Sequence, residues 1–190
     1  MIGNIAAGLY GVGVAPSTNS YESIATISVT SAQSSISFTS IPSTYKHLQL
    51  RYLARSARTA DNGATMLAQF NSDTGSNYAY HILYGDGSGV SAYNGSSTTV
   101  MRSYSVCSSS SSNTDIYGVG VIDILDYGST SKYKTLRHLG GYDRNGAGEL
   151  NLASGLWQST SAISTITLTL AESTANYETD SHFALYGVKD

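Results

Sequence analysis

The chain has 190 residues, which is enough for one sizeable hydrophobic core and short for two. Asp, Glu, Lys and Arg make up 12% of it, against roughly 25% in an average soluble domain, and the formal net charge is -3. Nucleic-acid binding needs a clustered basic surface and membrane spanning needs a long apolar run, and the sequence has neither, so we expect neither partner.

Residues 1–20 are predicted to form an extended arm. Its glycines oppose a stable helix and Pro16 closes the segment. The arm lacks the basic start of a secretory signal, so we interpret it as structural, packed either on its own domain or on a neighbouring chain. Its candidate partner-binding side chains are Ile2, Ile5, Leu9, Tyr10, Val12 and Val14.

Residues 21–190 are predicted to form a single β-domain. Short segments alternate apolar and polar residues, as strands with one buried face do, and turn residues separate them. The abundance of Ser and Thr and the 15 Tyr favour strands over helices. The predicted strands are residues 22–30, 35–39, 45–55, 65–71, 78–84, 98–106, 115–127, 132–142, 149–157, 164–171 and 182–188.

The pattern makes further predictions about how these strands are connected and covered. Residues 22–30 and 35–39 are expected to pair as a hairpin, and Asn62-Gly63 is typical of a type I′ turn. Residues 85–97 and the Ser run at 108–112 are predicted as loops. Residues 78–84 and 115–127 are apolar on alternate positions of both faces, which predicts strands covered on both sides.

Together these features predict an all-β fold: a single antiparallel β-sandwich, jelly-roll-like, preceded by the Gly-rich arm. A jelly roll is the commonest way to fold this many strands into one domain while covering most sheet edges. The sequence shows no repeat of fixed period, so a solenoid or propeller is not expected. The single Cys107 excludes an internal disulfide and is interpreted as a small core residue.

The titratable residues form no recognisable catalytic pattern. The four His lack the spacing of a zinc pair, and the carboxylates that could form a glycosidase pair cannot be placed together from sequence. We therefore predict no enzyme activity, no catalytic residue, no cofactor and no metal. The residues considered are His47, His81, His138, His182, Asp86, Asp123, Asp126, Asp143 and Glu149.

Two binding alternatives remain open at the level of sequence. Residues 71–77 alternate oxygen donors that Ca²⁺ would accept, although Asx turns explain the same residues. Aromatic rings near loops stack on sugars and also anchor protein interfaces, although core packing is the usual role of each ring. The candidate glycan or interface aromatics are Tyr93, Tyr142, Trp157 and Tyr177.

The region from residue 21 to residue 85 also carries a resemblance to a known group of proteins. The stretch IATISVTSAQSSISFTSIPSTYKHLQLRYLARS, followed by FNSDTGSNYAYHILYG, resembles small structural proteins of tailed bacteriophages, and the opening MIGNIAAGLYG is similar to theirs. The resemblance implies a non-enzymatic β-sandwich component of the virion. It transfers no catalytic residue to this chain.

On this basis we expect a capsid decoration (cement) protein of a virion assembled in the host cytoplasm. It would be a homotrimer that binds the major capsid protein or another virion protein, with the arm on the shell or around a neighbour. The alternative is a head-fibre or tail-fibre module that binds a glycan or receptor through loop aromatics. A cement protein should present its largest apolar patch at a subunit contact, a glycan binder a groove with exposed rings, and a polysaccharide enzyme two facing carboxylates.

Overall fold

The computed structural model describes residues 20–58, 63–109, 115–172 and 175–189, with the side chains of residues 104–109 outside this description. The predicted arm, apart from Ser20, therefore lies outside the described residues, and so do its six candidate side chains. The described residues form twelve β-strands and no helix. The strands are β1 (Tyr21–Ser28), β2 (Ser35–Phe38), β3 (His47–Ser56), β4 (Gly63–Phe70), β5 (Tyr78–Gly85), β6 (Val90–Thr98), β7 (Met101–Ser109), β8 (Gly118–Leu125), β9 (Lys134–Asp143), β10 (Gly148–Trp157), β11 (Ile166–Leu170) and β12 (His182–Val188).

The strands form a large sheet and a small sheet. The large sheet has the order β1-β12-β3-β8-β9-β10-β5-β6, and the small one has the order β2-β11-β4-β7, with antiparallel neighbours throughout both. The end of β3, at Arg55 and Ser56, also pairs in parallel with β7, which joins the two sheets along one side. The predicted all-β class and antiparallel pairing are confirmed, and the jelly-roll topology stays a prediction.

The hydrophobic core lies between the two sheets. β2 and β11 bury every second residue, because successive side chains of a strand point to opposite faces. Each fully buried aliphatic or aromatic side chain contributes about 1.5–3 kcal/mol through removal of apolar surface from water. Core residues include Ile36, Phe38, Leu48, Leu50, Met66, Phe70, Ile122, Ile124, Leu136, Trp157, Ile166 and Leu168.

The predicted hairpin of residues 22–30 with 35–39 is wrong. β1 pairs with β12 in the large sheet, whereas β2 pairs with β11 in the small sheet. Between them Gln33 bridges to Tyr177, so this connection carries the chain from one sheet to the other. The segment with the predicted Asn62-Gly63 turn connects β3 to β4, which are not direct partners because β7 lies between them. Asn62 itself lies outside the described residues.

The predicted loop at residues 85–97 is also wrong over most of its length. β6 begins at Val90 and pairs with β5 after a turn in which Asp86 Oδ1 accepts hydrogen bonds from the Ser88 and Gly89 amides, both at 2.8 Å. β6 is the free edge of the large sheet and carries small polar residues on both faces. Its residues have low strand propensity, so β6 forms because it pairs with β5. β7 extends into the predicted Ser loop as far as Ser109, and residues 110–114 lie outside the description.

Candidate interaction surface

The outer face of the large sheet carries exposed aliphatic side chains on six neighbouring strands. Leu150 is 63% exposed and Val90 is 73% exposed, although both lie within regular strands. We call this set of side chains the outer patch. It consists of Leu53, Leu83, Val90, Val119, Leu139, Leu150 and Leu152.

The sheet register places the outer patch in two parallel rows. Residues paired across neighbouring strands lie side by side on the same face, so the pairings can be followed across the sheet. From β6 to β3, the first row is Ala92, Leu83, Leu152, Leu139, Val121 and Arg51. In the same order, the second row is Val90, Gly85, Leu150, Gly141, Val119 and Leu53.

Two glycines interrupt the second row and leave depressions beside its larger side chains. Gly85 lies between Val90 and Leu150, and Gly141 lies between Leu150 and Val119. The second row therefore alternates large and small residues over most of its length. The depression around Gly141 has a volume of about 690 Å³.

A third row on the same face is polar. The Asp123 carboxylate accepts hydrogen bonds from Arg137 Nη2 at 3.0 Å and from Gln49 Nε2 at 2.8 Å, and Arg51 Nε donates to Gln49 Oε1 at 2.7 Å. These contacts hold the charged groups in place along one side of the outer patch. From β6 to β3 the third row is Asn94, His81, Ser154, Arg137, Asp123 and Gln49.

The outer patch overturns the prediction that β5 and β8 are covered on both sides. Leu83 of β5 is 51% exposed and Val119 of β8 is 52% exposed, because the small sheet covers only the inner face. Singly scattered apolar side chains are ordinary on protein surfaces, whereas a contiguous apolar patch marks a binding surface. The residue pattern of these strands is that of strands buried on both faces. In the single chain, only their inner face is buried.

A buried polar network lies beneath the sheet. His138 is fully buried, its Nε2 lies 2.8 Å from the Tyr52 hydroxyl, and its Nδ1 lies 2.7 Å from the Ser103 hydroxyl. Burial lowers the pKa of His138 to about 4, so the imidazole is neutral near pH 7. Ser103 and Tyr52 are also buried, so this Ser–His pair is closed to a substrate and its role is structural.

Gly120 and Gly140 make the space that the Tyr52 hydroxyl occupies, and this predicts a stability effect. A Cβ at residue 120 would overlap the Tyr52 hydroxyl, and one at residue 140 would lie 2.7 Å from it. We expect Gly120→Ala to lower the free energy of unfolding by roughly 1–3 kcal/mol, measured by urea denaturation, because the network must shift. Gly89→Ala is the control, since a Cβ there meets nothing within 4 Å, and equal losses in both variants would contradict this role.

Three of the four candidate aromatics are core residues and not surface rings. Tyr142 is 7% exposed, Trp157 is 2% exposed and Tyr177 is fully buried. Tyr93 is 39% exposed, and its ring lies 6.2 Å from that of Tyr84. The four predicted aromatics therefore do not converge on one exposed groove of the kind that a glycan binder needs.

The loop at residues 71–77 uses its oxygen atoms within the protein. Asp73 Oδ2 accepts a hydrogen bond from Trp157 Nε1 at 2.7 Å and Asp73 Oδ1 one from the Gly75 amide at 2.8 Å. The Trp157 and Asn77 hydrogen bonds lower the pKa of Asp73. Nothing in the sequence pattern signals the contact between Asp73 and Trp157, which are 84 residues apart. In the described part of the chain, no three His, Cys, Asp or Glu side chains come together as metal ligands.

The candidate carboxylates are engaged in turns and ion pairs. Asp86 and Asp143 each accept hydrogen bonds from amides of their own turns, and both line a depression of about 410 Å³ together with Glu149. Asp126 pairs with Lys132 at 2.8 Å and with Lys46 at 3.4 Å. The structure brings Asp86, Asp143 and Glu149 to the same end of the sheet, and it keeps Asp123 and Asp126 apart from them on β8 and the turn that follows it.

The four His lie at different places and form no common site. His47 Nδ1 accepts a hydrogen bond from the Asp126 amide at 3.0 Å, and His182 Nδ1 lies 3.2 Å from the Ser28 hydroxyl. His81 is on the polar row of the outer face, whereas His138 points into the core. His47 and His81 do not converge, because β3 and β5 are separated by β8, β9 and β10.

Comparisons with known proteins identify no relative: no protein-family model, no curated protein and no solved structure matches the chain. Among the described residues there is no helix that could cross a membrane. The function is therefore inferred from the surface of the chain itself.

Proposed function

We propose that this chain is a non-enzymatic structural protein of a bacteriophage virion, and specifically a decoration protein that binds and stabilises the capsid shell. The observation that carries the proposal is the outer patch, in which two adjacent rows of mostly apolar residues form a contiguous surface on the large sheet. A protein that works by adhesion needs a surface of this kind, which another protein subunit covers in the assembled particle. The resemblance of residues 21–85 to phage structural proteins supports the same class.

The size of the outer patch suits a modest contact repeated over many copies. Two rows on six strands span about 30 Å by 14 Å, on the order of 400 Å². Removing that area from water contributes on the order of 10 kcal/mol before the costs of association, which are of similar size. The net affinity of one contact is then small, and a shell with many equivalent sites gains by multivalency.

The arm at residues 1–20 supplies the second contact in this proposal. It has no charged side chain, and its apolar residues Ile2, Ile5, Leu9, Tyr10, Val12 and Val14 alternate with glycine and other small residues. An extended, uncharged segment can follow the surface of a shell subunit, as an added strand or in a groove. The arm would anchor the protein while the sandwich stands outward.

The proposed function predicts that capsid binding depends on the arm. The full chain should co-sediment with undecorated capsids of the phage that encodes it, and a chain without residues 1–20 should bind at least about tenfold more weakly. The large sheet begins after the deletion, so the shortened chain should keep its β-sheet circular dichroism, which serves as the control. If neither form binds capsids, the decoration role is wrong.

A further inference from the structure

The outer face of the large sheet is complementary to itself, and we propose that its occupant is the outer face of a second copy of this chain. The two copies would pack face to face around a two-fold axis that runs parallel to the strands, between β9 and β10. This inference depends on the premise of the proposed function that the outer patch is a subunit contact. It assigns the patch to a second copy, which leaves the arm as the contact with the capsid shell.

The second row shows the complementarity most clearly. The proposed axis places β9 opposite β10, β8 opposite β5 and β3 opposite β6 of the other copy, because the strand order is β3-β8-β9-β10-β5-β6. Leu150 then faces the depression at Gly141 of the second copy, and Val119 faces the depression at Gly85. Leu150 and Val119 thus each meet a missing side chain, whereas Leu53 faces Val90 at the edge of the row, and the two-fold axis repeats each contact.

The same axis gives each of the other two rows one large-to-small pair and otherwise brings side chains of similar chemistry or opposite polarity together. In the first row Arg51 faces the small Ala92, and aliphatic side chains face one another. In the polar row the large Arg137 faces Ser154, and the Asp123 carboxylate faces an imidazole. The remaining facing pairs are Leu53 with Val90, Leu152 with Leu139, Leu83 with Val121, His81 with Asp123 and Asn94 with Gln49.

The dimensions fit two packed sheets. Facing sheets in a β-sandwich lie about 10 Å apart with strands rotated by about 30°, so this register holds best near the axis and loosens toward β3 and β6. The three rows on six strands cover on the order of 600 Å². A stable protein interface buries about 800 Å² per partner, with an apolar core and a polar rim, and the side chains around the three rows can supply the difference.

The distribution of the patch favours a two-fold dimer over the homotrimer expected from the sequence. A three-fold ring joins two different surfaces of each subunit, whereas a two-fold contact uses the same surface twice. Within the described residues, the exposed aliphatic side chains concentrate on this one face. This face is apolar and self-complementary, and the described residues form no second patch of comparable size. These properties fit isologous pairing.

Sedimentation velocity of the full chain tests the inference first. We expect a particle of twice the 20.0 kDa chain mass, and we expect Leu150→Lys to weaken association at least about 30-fold by placing a charge beside the proposed axis, against the depression at Gly141. Leu125→Lys is the matched control. It is also an exposed leucine on the outer face of β8, at 45%, but lies beyond the Asp123 and Arg137 pair. It should weaken the dimer far less than Leu150→Lys does, and both variants should keep the wild-type β-sheet circular dichroism spectrum.

Crosslinking tests the position of the axis. In a Cys107→Ser background, the Cα atoms of the two Leu152→Cys residues lie about 11 Å apart across the proposed axis, whereas those of the two Leu125→Cys residues lie about 18 Å apart. A short bismaleimide should therefore link the first variant and not the second. Selective linkage at residue 125, or equal linkage at both positions, would overturn the proposed geometry.

The remaining outcomes separate this inference from the proposed function. A chain that sediments as a monomer at about 100 µM, or a Leu150→Lys variant that dimerises like the wild type, overturns the inference. Capsid binding by a monomeric chain would leave the decoration role intact. Dimers that form normally but do not bind capsids would support the self-contact and contradict the decoration role.

Discussion

Replacing Trp157 with Ala is expected to lower the free energy of unfolding by about 4 kcal/mol. The indole is 2% exposed and packs against the rings of Phe70 and Tyr78, with centroid distances of 5.6 and 6.4 Å. Its loss would leave a cavity where both sheets meet. It would also remove the Nε1–H donor that binds Asp73 and helps to hold the loop at residues 71–77 against the core.

Trp157→Phe separates the packing of the ring from its hydrogen bond. Phe keeps much of the aromatic volume and loses the N–H, so we expect a smaller loss of about 1.5–3 kcal/mol, the range for a hydrogen bond to a charged group. Urea denaturation followed by circular dichroism measures both variants without relying on tryptophan fluorescence. Equal losses for Ala and Phe would show that the hydrogen bond, and not the packing, accounts for the effect.

The buried His138 is expected to make the fold acid-sensitive. Its pKa is about 4 in the folded protein, against a reference value of 6.5, so the unfolded chain binds a proton more readily than the folded one. The contribution of His138 to stability is fully present above pH 6.5 and declines as the pH falls to about 4. The loss over that window is on the order of 3 kcal/mol, since one pKa unit corresponds to about 1.4 kcal/mol.

Urea titrations at several pH values between 7 and 4 measure this dependence. His138→Gln removes the titrating group, so its free energy of unfolding should change less with pH than that of the wild type, by about 3 kcal/mol over the window. His182→Gln is the matched control, because His182 is exposed on β12, outside the buried network and the outer patch, and should leave the wild-type slope unchanged. A wild-type slope in His138→Gln would mean that other groups cause the acid sensitivity.

The fold class could be predicted from sequence because it depends on local periodicity. In β11, Ile166, Leu168 and Leu170 alternate with Thr, and the structure buries these three residues. That periodicity does not determine which strands pair with each other. β1 and β2 are adjacent in sequence and look like a hairpin, yet they belong to different sheets because their partners lie near the end of the chain.

The elements of the outer patch were partly visible in the sequence, but their arrangement was not. The apolar residues on both faces of β5 and β8 predicted cover on both sides, and the structure covers only the inner face. Only the register places Leu83 beside Leu152 and Leu139, and that register joins segments far apart in the chain. Trp157 was missed as a core residue for a similar reason, since its partner Asp73 belongs to a distant turn.

The pairing of the first described strand with the last one has a consequence for synthesis on the ribosome. Among the described strands, β1 pairs with β12 alone, and Tyr21 lies opposite Val188. β2 likewise pairs with β11, which is translated late. Two early strands therefore stay unpaired until nearly the whole chain has been translated. Such long-range pairing slows folding and leaves apolar strands exposed to other nascent chains. We infer that the abundant Ser and Thr between their apolar residues help these early strands to remain soluble while they wait.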